Sequence, residues 1–99
     1  IGNDVWIGFG ATLLSGAVIG DGAVIGARAV VAGKIPPYAV VVGSPGSVRR
    51  FRFAPPQIEA LLQIRWWNWP IERILEFSAL LSSPDIDAFI EAARKTRHE

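Results

Sequence analysis

The sequence predicts a parallel β-helix of the hexapeptide-repeat type, followed by a helical segment. Residues 1–36 repeat the same chemistry every six residues, in the order IGNDVW, IGFGAT, LLSGAV, IGDGAV, IGARAV, VAGKIP. After the exit segment KIPPYAVVVGSPGSV, apolar residues recur instead at helical spacing. The expected class is mainly β with α, with repeat coils and an exit strand over 1–48 and a helical extension over 49–99.

The first place of each hexad is aliphatic, and the fifth is mostly small and apolar. A helix needs a period of 3.6 and a plain strand a period of 2, so neither explains a beat of six. A short strand and a tight turn that repeat, stacking coil on coil, do explain it. The first column is Ile1, Ile7, Leu13, Ile19, Ile25, Val31, and the fifth is Val5, Ala11, Ala17, Ala23, Ala29, Ile35.

Further expectations follow for this repeat. The first column should point inward, and Gly2, Gly8, Gly20 and Gly26 should adopt backbone conformations closed to residues with a Cβ. A glycine-rich β-sandwich is the alternative, which six hexads in phase disfavour. Three hexads of this type form one coil, so the repeat gives about two coils. Their open edge is expected to be covered by further coils or by another chain.

Composition limits the class of function. The chain of 99 residues is one domain or part of one, and the lack of methionine indicates a fragment or a processed product. A formal net charge of +1 gives no general attraction to nucleic acid or membrane surfaces. The absence of cysteine excludes disulfides and a cysteine nucleophile and fits a cytoplasmic location. No apolar run approaches the roughly 20 residues that span a bilayer.

Three helices are expected after one further strand at 39–42 and a tight turn at 43–46. The first helix has Pro56 in its first turn, and the second follows the breaker Pro70 and continues to Leu81. The third is expected to start with Ser83 as N-cap and Pro84 at the first helical position. Its apolar stripe is Ile86, Phe89, Ile90, Ala93, and the basic tail RKTRH should be a solvated helix end.

Three segments together resemble the hexapeptide-repeat acetyltransferases, and specifically their xenobiotic branch. That branch contains the type B chloramphenicol and the streptogramin A acetyltransferases. The segments are IGNDVWIGFGATLLSGAVIGDGAVIGARAVV, IPPYAVVVGSPGSVRRFRF and IEALLQIRWWNWPIERI, the last being the most specific. The resemblance covers essentially the whole chain, but only the C-terminal half of a family member.

The resemblance implies a left-handed β-helix, a homotrimer and active sites in clefts between subunits. It implies transfer of an acetyl group from acetyl-CoA, as co-substrate, to a hydroxyl of a hydrophobic acceptor such as chloramphenicol. A histidine is the general base in such enzymes, and in the family it lies upstream of the segment corresponding to Ile1. The one histidine here, His98, is expected to be an exposed tail residue. The chain alone is therefore expected to be inactive.

What the resemblance leaves in this chain is the CoA half of the site. Small corner residues would leave backbone groups reachable for the pantetheine amides, although corners need small residues in any case. Basic residues would meet the phosphates, and a tryptophan would lie near the cofactor channel or pack between coils. The candidates are Trp6, Gly10, Ala11, Ala27, Arg28, Ala29, Lys34, Ser44, Pro45, Arg49 and Arg50. The chain departs from the family at Phe9, where a basic residue is frequent, and at Gly46 and Ser47.

Other interpretations stay open. Trp66, Trp67 and Trp69 could form a stacking platform, but their helical spacing favours core and interface anchors. A truncated, non-catalytic module that oligomerises or binds CoA is the second hypothesis. A serine or sugar-nucleotide acyltransferase, or a γ-type carbonic anhydrase, is the third; the last needs several histidines for zinc. No metal, nucleic acid or membrane is expected as a partner.

Overall fold

The computed structural model describes residues 1–96, which fall into two compact units. The first unit is Ile1–Ala54 and contains all the strands, whereas the second begins at Pro55 and is helical. Within residues 1–96, no helix is long and apolar enough to cross a membrane. His98 lies outside the described residues, so its exposure stays a prediction.

The first unit is built from short strands separated by tight turns. Each of the first six strands has two residues, because the chain turns a corner at once after it. The strands are β1 (Trp6–Ile7), β2 (Thr12–Leu13), β3 (Val18–Ile19), β4 (Val24–Ile25), β5 (Val30–Val31), β6 (Lys34–Ile35), β7 (Ala39–Val42) and β8 (Ser47–Phe51).

Each of the first four strands pairs in parallel with the strand three further along the chain. The pairs β1–β4 and β4–β7 form one face, β2–β5 a second and β3–β6 a third. Stacked strands on three faces are the coils of a hexapeptide-repeat parallel β-helix, so the predicted fold class is confirmed.

The first hexad column points into the prism, as predicted. Ile19, Ile25 and Val31 are buried together with Ala23 and Ala29 of the fifth column, and Ala11 and Ala17 pack against this core partly buried. Burial falls toward the first coil, where Ile7 is 40% exposed, because β1 lies at the edge of its sheet. The aliphatic residues that recur every six positions therefore form the core of this unit.

The sixth hexad is out of phase with the prediction. The turn between β5 and β6 contains only Ala32 and Gly33, whereas the turn before β5 runs over 26–29. Lys34 therefore lies in a strand opposite Val18, and Ile35 lies opposite Ile19 in the inward column. The predicted hexad places of Lys34 and Ile35 are wrong because this turn is shorter.

The expected reason for the second-place glycines is also wrong. Gly8 and Gly20 do not have positive φ angles; a Cβ on either would lie 2.6 Å from a backbone nitrogen of the next coil. Close approach between coils is therefore what excludes a side chain there. Positive φ falls instead on turn residues such as Gly10, at 73°.

The repeat unit ends in a hairpin that the sequence did not indicate. The chain turns at residues 43–46, as predicted, and β8 then pairs antiparallel with β7. The pairing is irregular between Val40 and Val41, with Arg49 as the extra residue on β8. The first unit therefore extends to Ala54, beyond the division expected after Val48.

Arg52, just after β8, ties this hairpin to one corner of the prism. Its Nη1 donates a hydrogen bond to the carbonyl oxygen of Gly22 at 2.8 Å and lies 3.5 Å from a carboxylate oxygen of Asp4. The guanidinium also stacks over the rings of Tyr38 and Phe53, at 5.4 and 5.1 Å from their centroids. One side chain thus contacts several stacked turns.

Over residues 55–96, the helical unit contains four α-helices and one short 3-10 helix. The helix expected from Ile71 to Leu81 is interrupted at Phe77, a buried residue between two shorter helices. The elements are α1 (Pro55–Ile64), the 3-10 helix (Trp66–Asn68), α2 (Ile71–Glu76), α3 (Ser78–Leu81) and α4 (Ile86–Thr96).

The last helix begins two residues later than expected. Asp85 accepts a hydrogen bond from the backbone N–H of Ala88, at 3.3 Å, and therefore acts as the N-cap. Ser83, the predicted N-cap, instead accepts from the N–H of Asp85 at 3.1 Å, in the turn before the helix. The predicted apolar stripe of this helix is confirmed, since all its members are buried.

An aromatic cluster forms the core of the helical unit. The Trp69 ring centroid lies 5.3 Å from that of Phe77 and 5.8 Å from that of Phe89. Trp69 is therefore a core anchor, as predicted. Trp66 and Trp67 contact each other edge to face and are half-buried.

Candidate functional site

Three turns of the first unit lie above one another at a single corner of the prism, between the β1–β4–β7 face and the β2–β5 face. We call residues 8–11, 26–29 and 43–46 the stacked corner. Backbone hydrogen bonds join its layers: the N–H of Arg28 donates to the carbonyl of Phe9 at 2.9 Å, and that of Gly8 to Ile25 at 2.8 Å. Val30, which follows the second turn, donates to the carbonyl of Gly43 at 3.0 Å.

The stacked corner brings together most of the site residues predicted from the sequence. They come from hexads far apart along the chain, and the coil pairing places them in adjacent layers. Those at the corner are Gly10, Ala11, Ala27, Arg28, Ala29, Ser44 and Pro45.

The tips of these turns offer polar backbone groups. Gly10, Ala27 and Ser44 are exposed, and none of their backbone groups hydrogen-bonds to another residue of the described part of the chain. Ala29 differs: it is buried, its N–H donates to Gly26 at 3.2 Å and its carbonyl accepts from Thr12 at 2.8 Å. Ala29 therefore supports the corner but has no free backbone group to offer.

Arg28 supplies positive charge at the middle layer. Its side chain is exposed, its φ is 60°, and its guanidinium carbon lies 6.0 Å from the centroid of the Phe9 ring. A Cβ on Gly10 would lie 3.3 Å from the Arg28 Cγ, so the stem of Arg28 runs over Gly10. The arginine therefore lies along the corner.

Trp6 and Arg50 lie in one row across the neighbouring face. Trp6 is opposite Val24, Val24 is opposite Val40, and Val40 is opposite Arg50. Cross-strand partners point to the same side of a sheet, and Trp6 is 59% exposed on the outer side. The row spans three strand spacings of about 4.8 Å each, with an aromatic at one end and a cation at the other. Arg49 precedes this cation at the bulge.

Lys34 is not brought to the stacked corner. It is exposed on the β3–β6 face, which is the side of the prism opposite that corner. The described residues also hold no group of three or more His, Cys, Asp or Glu side chains placed to bind a metal ion. The groups that the stacked corner exposes are backbone groups and the guanidinium of Arg28.

Comparison with known proteins gives the class of the chain. Residues 1–33 match the model of the bacterial transferase hexapeptide, with six repeats. The chain is 46% identical over 86 residues to a chloramphenicol acetyltransferase from Morganella morganii, covering 87% of this chain and 41% of the relative. The corresponding enzyme from Escherichia coli is 48% identical over the same shares of both chains.

Two further similarities extend this result. A probable macrolide acetyltransferase from Lysinibacillus sphaericus is 43% identical, over 84% of this chain and 46% of that protein. Among solved structures, the serine acetyltransferase from Neisseria gonorrhoeae superposes with a TM-score of 0.53 at 36% identity, over 59% of this chain and 23% of that one.

The chain contains the bacterial transferase hexapeptide repeat, and over most of its length it is similar to members of the hexapeptide-repeat acetyltransferase family. Within that family, its sequence is similar to the chloramphenicol and macrolide acetyltransferases of the xenobiotic branch. The chain spans less than half the length of these curated relatives, 41% to 46% of each.

Proposed function

We propose that this chain is part of an acetyl-CoA-dependent O-acetyltransferase that acts on a hydroxyl of a xenobiotic such as chloramphenicol. The stacked corner is proposed to receive acetyl-CoA. The observation that carries the proposal is the alignment of exposed, unpaired backbone groups at Gly10, Ala27 and Ser44 with the guanidinium of Arg28. The names of the relatives support the reaction class.

CoA has a neutral pantetheine arm with two amides and a nucleotide end that carries phosphates. Backbone N–H and C=O groups along an edge suit the amides, and arginines suit the phosphates because their donors form a planar fork. We propose that Gly10 and Ala27 bind the arm, and that Arg28, Arg49 and Arg50 bind the phosphates. Ser44 and Pro45 would border the nucleotide, with Trp6 beside the channel and Ala11 keeping the corner narrow.

Two residues of the original candidate set fit this role poorly. Both backbone groups of Ala29 are already hydrogen-bonded within the coil. Lys34 is on the opposite side of the prism. The proposed site omits both, and their substitution by residues of similar size is not expected to change CoA affinity.

Acyl transfer to a hydroxyl needs a base to take the proton from the attacking oxygen, and a histidine suits that task near neutral pH. Residues 1–96 contain no histidine. We propose that the base comes from outside these residues and is not His98. The chain alone should then release no free thiol from acetyl-CoA when chloramphenicol is added. Turnover that survives His98→Ala would contradict this part of the proposal.

Calorimetric titration of the 99-residue chain with CoA tests the proposed site. Ala27→Phe places a ring over the backbone at the stacked corner and should weaken CoA binding at least tenfold. Ala32, another exposed alanine, lies in the turn between β5 and β6, so Ala32→Phe is the matched control and should bind CoA like the parent chain. Equal loss in both variants, or no CoA binding by the parent chain, would overturn the proposal.

The second candidate is a non-catalytic hexapeptide module that assembles or binds CoA without transferring its acetyl group. This module would need only the exposed backbone groups and the Arg28 guanidinium of the stacked corner, and no general base. The nucleotide sequence upstream of the codon for Ile1 separates the two candidates. Further hexads and a histidine there would support the enzyme, whereas an adjacent start codon would support the module.

We also propose that the chain forms a homotrimer. Large apolar side chains point outward from the prism, and Trp6 and Val18 are 59% and 53% exposed. Such side chains are more typical of an interface than of a monomer surface. Sedimentation equilibrium should give three times the mass of the 10.7 kDa chain. A stable folded monomer at micromolar concentration would exclude the trimer.

A further inference from the structure

The helical unit contains a cavity of its own, with a volume of about 230 Å³. It lies among the end of α1, the start of α2 and the last helix α4. That volume far exceeds the roughly 10–15 Å³ that a single water needs, and it is below the roughly 300–1,000 Å³ of a pocket for a drug-sized molecule. A small organic ligand therefore fits. The lining residues are Gln63, Ile64, Trp69, Arg73 and Ala93.

Three of these residues give the cavity an apolar wall. Trp69 belongs to the aromatic cluster, with its ring centroid 5.3 Å from that of Phe77 and 5.8 Å from that of Phe89. Ala93 is buried on α4, and Ile64 is half-buried at the end of α1. Because packing already fixes this wall, an apolar group that enters meets a preformed surface, and little ordering of side chains opposes its binding.

Arg73 supplies positive charge to the same cavity. Its guanidinium carbon lies 4.0 Å from the centroid of the Trp69 ring, so the cation is in contact with the aromatic ring. The side chain is half-buried, and water and salt therefore screen its charge less than that of an exposed arginine. Gln63 adds an exposed amide, and the described residues that line the cavity include no acidic side chain. The electrostatics of the cavity therefore favour an anion.

We propose that this cavity binds a small organic monocarboxylate whose apolar group is about the size of one aromatic ring. Stacking uses the face of a guanidinium, whereas its N–H donors lie in its plane and match the geometry of a carboxylate. Arg73 would donate to the carboxylate while the apolar group packs against Trp69, and Gln63 would border the carboxylate at the surface. This site lies within the helical unit and does not depend on the proposed acetyl transfer.

Benzoate and benzamide separate the two parts of this recognition, because they share a ring and differ in charge. In nuclear magnetic resonance titrations of the 99-residue chain at neutral pH, benzoate should shift the indole N–H of Trp69 and the backbone amides of Ile64 and Ala93 with one affinity. Trp69→Phe identifies that indole signal among the four tryptophans. Benzamide should bind about tenfold more weakly, since it carries no charge to pair with the arginine.

Gln63→Glu tests the charge at an exposed position, outside the packed core. The new carboxylate should weaken benzoate binding about fivefold, because it repels the ligand and competes for Arg73. Ala79→Glu adds the same charge at an exposed position of α3 and is the matched control, with benzoate affinity unchanged. Arg73→Gln should reduce the affinity for benzoate to that for benzamide. If this variant fails to fold, Gln63→Glu decides the question.

Equal affinity for benzoate and benzamide would overturn the recognition of a carboxylate. Equal effects of Gln63→Glu and Ala79→Glu would overturn the location of the site. Benzoate shifts centred on Arg28 and the stacked corner, or the absence of any shift, would overturn the proposal as a whole.

Discussion

The guanidinium of Arg52 donates a hydrogen bond to the backbone carbonyl of Gly22, at 2.8 Å, across 30 residues of sequence. The same nitrogen lies 3.5 Å from the Asp4 carboxylate in the first coil. The segment that leaves the repeat therefore returns to hold its earlier coils. This contact identifies Arg52 as structural, in contrast to the neighbouring arginines of β8 that we assign to the ligand.

Arg52→Ala should lower the free energy of unfolding by about 2 kcal/mol, because it leaves a partly buried carbonyl without its charged donor. Chemical denaturation followed by circular dichroism measures this change. Arg50→Ala, on exposed β8, is the control and should change stability by less than about 0.5 kcal/mol. Similar losses in both variants would show that Arg52 has no special structural role.

Tyr38→Phe should leave the protein as stable or stabilise it by about 1 kcal/mol. The Tyr38 hydroxyl is buried and has no hydrogen-bond partner among the described residues, so folding removes it from water without compensation. Thermal denaturation of the two proteins gives the comparison. A marked loss of stability in the variant would show that the hydroxyl has a partner in solution.

The buried Tyr38 hydroxyl should make the stability of the folded protein sensitive to alkaline pH. Burial, and then the Asp4 and Asp21 carboxylates, raise the pKa of Tyr38 above its ordinary value of 10.0, although Arg52 acts in the opposite direction. Because the folded protein holds the proton more tightly than the unfolded chain does, the stabilising contribution is complete below pH 10.0 and decreases above it.

Tyr38 is the single tyrosine of the chain, so the ultraviolet absorbance of tyrosinate reports on it alone. We expect that signal to rise together with the loss of circular dichroism as the pH increases. The Tyr38→Phe variant should lose less stability over the same range. Ionisation near pH 10 in a fully folded protein would contradict the burial of this hydroxyl.

Gly22 and Gly16 provide a matched pair, since both have positive φ at the fourth place of a hexad, 71° and 84°. A Cβ on Gly22 would overlap the Tyr38 ring, whereas one on Gly16 meets nothing within 4 Å. Gly22→Ala should therefore cost about 3 kcal/mol or more, and Gly16→Ala only about 1 kcal/mol for the backbone. Equal costs, measured by denaturation, would mean that the ring does not lie over Gly22.

The repeat and its core could be predicted from the sequence because the coil places every sixth residue in the same environment. Ile25 and Val31 are buried for that reason. The six-residue repeat predicts the wrong positions for Lys34 and Ile35. The turn before them is shorter than the others, and Ile35 is still an aliphatic residue close to the position that the repeat predicts. A sequence repeat predicts which side chains are buried. It does not predict the length of a turn when an aliphatic residue would be buried with either the longer or the shorter turn.

Contacts between residues far apart in the sequence also could not be predicted. The contact of Arg52 with Asp4 depends on the hairpin of β7 and β8, and a strand rich in arginine has no apolar alternation to indicate that pairing. Gly10 and Ala27 were proposed for the candidate site from the sequence because of their small size. The sequence could not show that the backbone of Ala29 is already hydrogen-bonded, because that depends on the neighbouring coil.

The most direct test of the CoA-binding claim is a nuclear magnetic resonance titration of the 99-residue chain with CoA, followed at the backbone amides. The amides of Phe9, Gly10, Ala27 and Ser44 should shift together with one affinity. Amides of the other turns, such as Ser15 and Gly33, should keep their positions. Shifts centred on Ser15 and Gly33, or no shifts at saturating CoA, would contradict the account.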